Sequence, residues 1–212
     1  MQKVCHDWPN EAFIDGLVDE KYWDGFLEKA NIASAKVSRV KNWEEAEAKL
    51  VDILKGLSAG EYDDRKLETK EILAVGEEEF PFLKGVYSRL AEAGYTVYTD
   101  KFDIARHKDS ANVGITLGEF GVAETGSVAV DNLSYEARVA SMLPYTNIVF
   151  MPAKYMVENL TSALKIMGKV FNKGYMGLVT GPSRTADIER VLSLGVHGPN
   201  YFFVIAIDEM SK

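Results

Sequence analysis

The 212-residue chain is poor in the residues that staple or metallate proteins: it has one cysteine, Cys5, and three histidines, His6, His107 and His197. A single thiol excludes an intramolecular disulfide and denies this chain the four thiolates of an iron–sulfur cluster. No C-x-x-C or H-x-x-x-H spacing offers zinc a ligand set, and Cys5-His6, at the start of the chain, is a poor candidate for a metal site. No run of 18 apolar residues is present to span a bilayer, and the opening MQKVCHDWPNEAF lacks the apolar core of a signal peptide, so the expectation is a soluble, cytoplasmic protein. Positive charge is also short: 24 Lys and Arg face 32 Asp and Glu, for a net charge of -8. Without a basic patch, such a surface repels phosphate backbones and excludes nucleic acid as a partner. The G-x-G-x-x-G, G-x-x-x-x-G-K-[ST] and G-x-S-x-G signatures are missing, which argues against dinucleotide, nucleoside-triphosphate and Ser-His-Asp chemistry.

What is there is an ordinary globular balance, 47% hydrophobic and 26% charged, without internal repeats or low-complexity tracts. Residues 10–30 carry Phe13, Leu17, Trp23, Phe26 and Leu27 at helical spacing, and 34–41 alternate as a short strand. From Asn42 to Leu57, Trp43, Ala46, Leu50, Ile53, Leu54 and Leu57 form one stripe, with Asn42 as cap and Gly56 near the end. Beyond a polar stretch, 58–70, short apolar runs alternate with helical patterns. EILAVG (71–76), YTVYT (95–99), NIVFM (147–151), MGLVTG (176–181) and FFVIAID (202–208) read as strands. Helices are expected through Phe82, Val86 and Leu90, across 155–170, and at 185–194. That rhythm predicts an α/β fold with a mostly parallel sheet flanked by helices. FGVAETGSVAVD (120–131) breaks it and reads as a hairpin or bent strand turning near Gly126. The division expected is an N-terminal helical extension, 1–60, packed on an α/β domain, 61–212.

Two segments carry candidate chemistry. In TGPSRTADIERVLSLGVHGP (180–199), a strand end runs through Gly181-Pro182 to a helix that Ser183 or Thr185 can cap. Free amides there, beside Arg184, suit a carboxylate or phosphate; the alternative is plain capping, with Arg184 paired to Asp187 or Glu189. His197 could transfer protons, or simply hydrogen-bond within its turn. In GEFGVAETGS (118–127), Glu124 falls in a β-prone stretch expected to be buried, where a carboxylate must be paired, hydrogen-bonded or protonated. It is a candidate general base or nucleophile; the alternative is a structural partner for Arg184, Arg138 or a backbone amide. Thr125 and Ser127, around Gly126, read equally as ligand contacts or turn-forming hydroxyls. Aromatics at Tyr22, Trp23, Phe26 and Trp43 follow helical spacing and read as core.

GITLGEFGVAETGSVAVD and TGPSRTADIERVLSLGVHGP together resemble the signature segments of the LUD-domain family of lactate utilization proteins, and the similarity covers about residues 70–208. The resemblance implies a CoA transferase-like α/β fold, related to sugar-phosphate isomerases and to formyltetrahydrofolate cyclo-ligase. It also implies a part in bacterial oxidation of L-lactate to pyruvate beside two iron–sulfur proteins, one of which has its own LUD domain. On that footing the chain binds no cofactor itself, and any clusters belong to its iron–sulfur partners. The leading expectation is a non-redox, substrate-handling or regulatory subunit holding a small anionic ligand at Gly181, Ser183, Arg184, Thr185 and His197, with Glu124, Thr125, Gly126 and Ser127 facing it. Two rivals stand beside it: an independent acyl- or phosphoryl-transfer enzyme in which Glu124 attacks, and an assembly protein whose Trp23, Phe26 and Trp43 hold a partner. Homo-oligomerisation stays open.

Overall fold

The structure, a computed structural model, describes residues 8–13, 15–62, 66–77, 80–170, 176–182, 184–186, 192–194 and 198–210. The elements are α1 (Trp8–Glu11), a 3-10 turn (Glu20–Tyr22), α2 (Trp23–Ile32), β1 (Lys36–Val40), α3 (Trp43–Ala59), β2 (Glu71–Ala74), α4 (Leu83–Glu92) and β3 (Thr96–Tyr98). They continue with α5 (Lys101–His107), β4 (Val113–Val122), β5 (Ser127–Asp131), α6 (Tyr135–Met142), β6 (Thr146–Pro152), β7 (Met156–Val157) and α7 (Leu160–Val170). Last come β8 (Met176–Val179), β9 (Arg184–Ala186), β10 (Leu192–Leu194) and β11 (Tyr201–Ile207).

The main sheet runs β1-β11-β6-β4-β2-β3, with every one of these pairings parallel. Period-two alternation assigns its faces. Ile148 and Phe150 of β6, with Phe203, Ile205 and Ile207 of β11, pack on Leu50, Ile53, Leu54 and Leu57 of α3 and on Leu83, Val86 and Leu90 of α4. The intervening Val149, Met151, Phe202, Val204 and Ala206 face the other way, onto Phe26 and Ala30 of α2 and onto β5. On that side Ile104 of α5 and Val139 and Ala140 of α6 cover Leu73 of β2. The α/β layering predicted from the rhythm is present.

The stripe over 42–57 forms α3 as expected: Asn42 Oδ1 accepts from the Glu45 amide at 3.1 Å. The helix runs through Gly56 and closes at Gly60, whose amide reaches the Leu57 carbonyl at 3.2 Å. The expected boundary at residue 60 does not separate an appendage from the sheet, because β1, from the first sixty residues, is hydrogen-bonded along β11. The first sixty residues therefore supply a strand and a core helix as well as surface helices. Trp23, Phe26 and Trp43 pack inward, as their spacing predicts. Phe26 is fully buried, and the Trp43 ring packs at a tilt against Phe82 and Phe150, with centroids 5.1 Å and 5.3 Å away.

Three further expectations need correction. The helix expected across 155–170 starts only at Leu160, because Met156–Val157 pairs with β4 as β7. MGLVTG does form a strand, β8, but it lies antiparallel to β5 and not in the parallel sheet. It joins an antiparallel layer made by the second half of β4, β5 and β8. The predicted helix over 185–194 is replaced by β9 and β10, paired antiparallel with Ser193 opposite Thr185. The helical reading relied on a capping hydroxyl and acids in a first turn. Leu192-Ser193-Leu194 alternates with period two, and β-branched Thr185 favours the extended backbone. The hairpin expected in 120–131 is present: β4 and β5 pair antiparallel around a turn ending at Gly126.

Candidate functional site

The parallel sheet has a switch point between β2 and β4. The chain leaves β2 through α4 to β3 on one side, and leaves β4 through β5 and α6 to β6 on the other. In open α/β sheets the crevice beyond the carboxyl ends of such strands is where ligands bind. Here it is a cleft of about 300 Å³, near the lower limit for ligand sites, whose rim is formed by Gly76 and Glu77 after β2, Thr99 to Lys101 after β3, and Ser134 and Glu136 at the start of α6. Ser134 also borders a narrower recess behind it, walled by Val75, Phe80, Leu117 and Ala137, with Glu119 and Asp131.

Local sequence explains the shape. Asp100 caps α5, its Oδ1 accepting from the amides of Phe102 at 2.8 Å and Asp103 at 3.4 Å. Ser134 caps α6, its Oγ accepting from the Ala137 amide at 3.0 Å. Asp131 Oδ1 accepts from the Leu133 amide at 2.9 Å, and Arg138 donates to the carbonyls of Asn132 at 2.9 Å and Leu133 at 2.7 Å, so the segment feeding α6 is fixed from both sides. Tyr87 donates to the Val75 carbonyl at 2.7 Å, and burial pushes its hydroxyl far above the ordinary range. Two helix starts therefore meet the end of β2, and Lys101, Ser134 and Thr99 line the same cleft as Glu77 and Glu136. A rim of mixed sign fits a ligand that itself carries both an anionic group and hydroxyl donors.

Glu119, like the residues lining the cleft, is one that the sequence reading missed. It is only 3% exposed, and it stands where the β4–β5 register shifts between Gly118 and Phe120. Such bulges re-aim side chains and collect near functional sites. The available signal was a carboxylate set between Gly118 and Gly121 inside an otherwise apolar strand.

Glu124, the acid singled out from the same segment, is exposed and not buried. Its Oε2 accepts from the Leu160 amide at 2.8 Å, and Asn159 Oδ1 accepts from the Ser162 amide at 2.9 Å, so the pair satisfies two of the open amides of α7. Of the alternatives weighed, the backbone-amide partner is the one observed. Thr125 and Ser127 do meet the other signature segment: their hydroxyls lie 2.6 Å apart, and Ser127 Oγ lies 2.5 Å from Thr180 Oγ1. Gly126 and Gly181 adopt left-handed backbone, φ 68° and 71°. A Cβ on Gly126 would fall 2.1 Å from the Ala30 amide nitrogen, and one on Gly181 would fall 2.2 Å from the Ala33 carbonyl oxygen. Both glycines thus let two turns close on the end of α2, a packing role. Ser183, His197 and the side chains of Arg184 and Thr185 lie outside the described residues. The hydroxyl cluster and the cleft sit at opposite ends of β5, about 13 Å apart at the usual strand rise.

Among the described residues, no group of three or more His, Cys, Asp or Glu is placed to hold a metal ion, and no helix is long and apolar enough to cross a membrane.

Comparison with known proteins agrees with the layering. A duf162 family protein from Deinococcus radiodurans superposes with a TM-score of 0.59 over 88% of this chain and 96% of its own, at 15% identity, a likeness of fold. Lactate utilization protein C from Anoxybacillus flavithermus is 35% identical over 104 residues, which is 46% of this chain and 47% of that protein. Its namesake from Bacillus subtilis is 38% identical over 96 residues, 43% of this chain and 40% of that protein. The aligned stretch spans about half the length of the curated relatives it matches. The LUD domain family model matches residues 24–207, from the second helix to the last strand of the sheet, and the chain belongs to that family.

Proposed function

We propose that this chain serves lactate utilization as a non-redox component that binds a small hydroxy acid, working beside iron–sulfur proteins that carry the electrons. The observation that carries the reading is kinship with relatives named lactate utilization protein C, at 35% and 38% identity. The assignment of electron transfer to iron–sulfur partners is what the family resemblance implies, and a single cysteine, too few for a four-thiolate cluster, supports it. The switch-point cleft is the place for the ligand. Lys101 receives the carboxylate, the hydroxyls of Thr99 and Ser134 donate, and Glu77 or Glu136 accepts from the ligand hydroxyl. This differs from an anion site at Gly181, Ser183, Arg184, Thr185 and His197 faced by Glu124, whose carboxylate accepts from the Leu160 amide. The CoA transferase-like relation remains part of the proposal, resting on the fold.

Calorimetric titration with L-lactate tests the ligand. Lys101→Ala should weaken binding about tenfold or more, the loss of one charge-assisted contact. Equal affinity in the variant removes Lys101 from the site. Disrupting the gene in its host tests the pathway: growth on L-lactate should fail while growth on glucose persists, and unimpaired growth on L-lactate overturns the role.

A further inference from the structure

A second polar cluster lies at the far end of the helix that supplies Lys101. At the carboxyl end of α5 the His107 ring stacks on Tyr98, with centroids 3.9 Å apart and planes inclined by 11°. His107 Nδ1 lies 3.1 Å from Oε1 of Glu71, the first residue of β2. The same oxygen accepts from the Tyr98 hydroxyl at 3.1 Å, and Oε2 accepts from the Ser110 hydroxyl. Ser110 is itself tied back, its amide donating to the His107 carbonyl at 3.1 Å. One carboxylate on β2 thus gathers β3, the end of α5 and the loop before β4.

The charged groups around His107 are few. Glu71 faces it from β2 and the Tyr98 hydroxyl from β3; on its own element Asp103 is engaged by Arg106 at 3.4 Å, and Lys108 by Asp109 at 2.8 Å. The Ser110 hydroxyl first, then Tyr98 and His107, holds the Glu71 carboxyl below its ordinary range, so Glu71 is anionic near neutral pH. Protonation of His107 converts a neutral N–H contact into a charge-assisted one, at a helix end where the backbone dipole favours a cation. At a side-chain exposure of 33%, His107 is open to solvent protons.

We propose that His107 and Glu71 form a proton-sensitive latch on α5, firmer when His107 is protonated, that sets how rigidly Thr99, Asp100 and Lys101 are held at the cleft. This deepens the ligand-binding reading by giving the same site a regulator, and it makes His107 a positioning residue and not a ligand contact.

Amide hydrogen exchange of residues 101–107, corrected for intrinsic rates, tests the latch without any ligand. In the full chain, protection of this helix should fall about fivefold between about pH 5.5 and about pH 7.5, the difference between a charge-assisted and a neutral contact. In His107→Gln and in Glu71→Gln the protection should be flat across that interval. A flat wild-type profile, or the same fall in His107→Gln, overturns the latch. Tyr98→Phe keeps the stacked ring and the imidazole, so the fall should persist in it even if the other variants fold poorly, and a flat profile there counts against His107 as the sensor. L-lactate titration at the two pH values separates the proposals: exchange that responds while L-lactate binds at neither pH leaves the latch standing and removes the ligand.

Discussion

Residue by residue, the structure separates side chains that close the fold from side chains that face the cleft. Gly126 and Gly181 belong to the first kind, since each combines left-handed backbone with backbone atoms of α2 about 2 Å from where a Cβ would sit. Either changed to alanine should cost on the order of 3 kcal/mol or more, read from the shift of the urea midpoint. Ser34 is the contrasting case. It is the one positive-φ residue other than glycine among the described residues, at φ 65°, just past the end of α2. Glycine suits that position better, so Ser34→Gly should be neutral or stabilising by about 0.5 kcal/mol in the same experiment. Glu124→Ala removes a cap from α7 and should cost about 1 kcal/mol, whereas L-lactate affinity should not change. Two acids have opposite pH signatures. Glu71 is held low in the fold, so its contribution is complete above its ordinary value of 4.5 and is lost as pH falls below that value, through the folded one. Glu71→Gln should therefore flatten the acid limb of a stability–pH curve. Glu47 is raised by burial despite the Arg89 Nε 2.7 Å away, so its ionisation costs stability as pH rises from the ordinary value of 4.5. Glu47→Gln at pH about 7 should unfold no more easily than wild type.

Among the elements, legibility followed periodicity. The α3 stripe, the runs that became β2, β6 and β11, and the turn at Gly126 were readable because apolar spacing and burial repeat over many residues. Where spacing was short, the reading depended on local chemistry shared by two outcomes. Thr185 with Asp187 and Glu189 suits a helix start, yet residues 184–186 and 192–194 pair as strands. Nothing in MGLVT states strand direction, and so the antiparallel placement of β8 was invisible. Helices α5 and α6 escaped notice because each is short, seven and eight residues, and capped by an ordinary aspartate or serine. They are the elements that build the cleft, which is why the sequence drew attention only to the segments at the other end of β5. The lost signal was topological: which strand ends become neighbours depends on strand order, and no single segment records it. Both caps can be tested. Asp100→Ala and Ser134→Ala should each cost about 1 kcal/mol in urea unfolding and weaken L-lactate binding, because each loosens one wall of the cleft.

For the whole molecule, the first sixty residues are structural and cannot be removed as an appendage. A chain beginning after residue 57 would lose β1 and the α3 residues Leu50, Ile53, Leu54 and Leu57, baring one face of β11. It should fail to give a cooperative thermal transition by circular dichroism; a sharp transition near that of the full chain would show that the remainder folds alone. That region also straps the opposite side. The Asp19 amide donates to the Met156 carbonyl at 2.8 Å, Lys169 pairs with Asp15 at 2.5 Å, and Arg39 joins Glu20 to Asp208. The strand that ties these regions together is β4. Its first half is flanked by β2 and β6, and its second half by β5 and β7. A one-residue insertion or deletion within it would reverse inside and outside for everything downstream, dragging Glu119 out of its recess and the α7 packing out of place together. Length variation among natural versions of this domain is accordingly expected in the sequence between α3 and β2 and absent from 113–122, so that β4 serves as the ruler against which any two of them can be lined up.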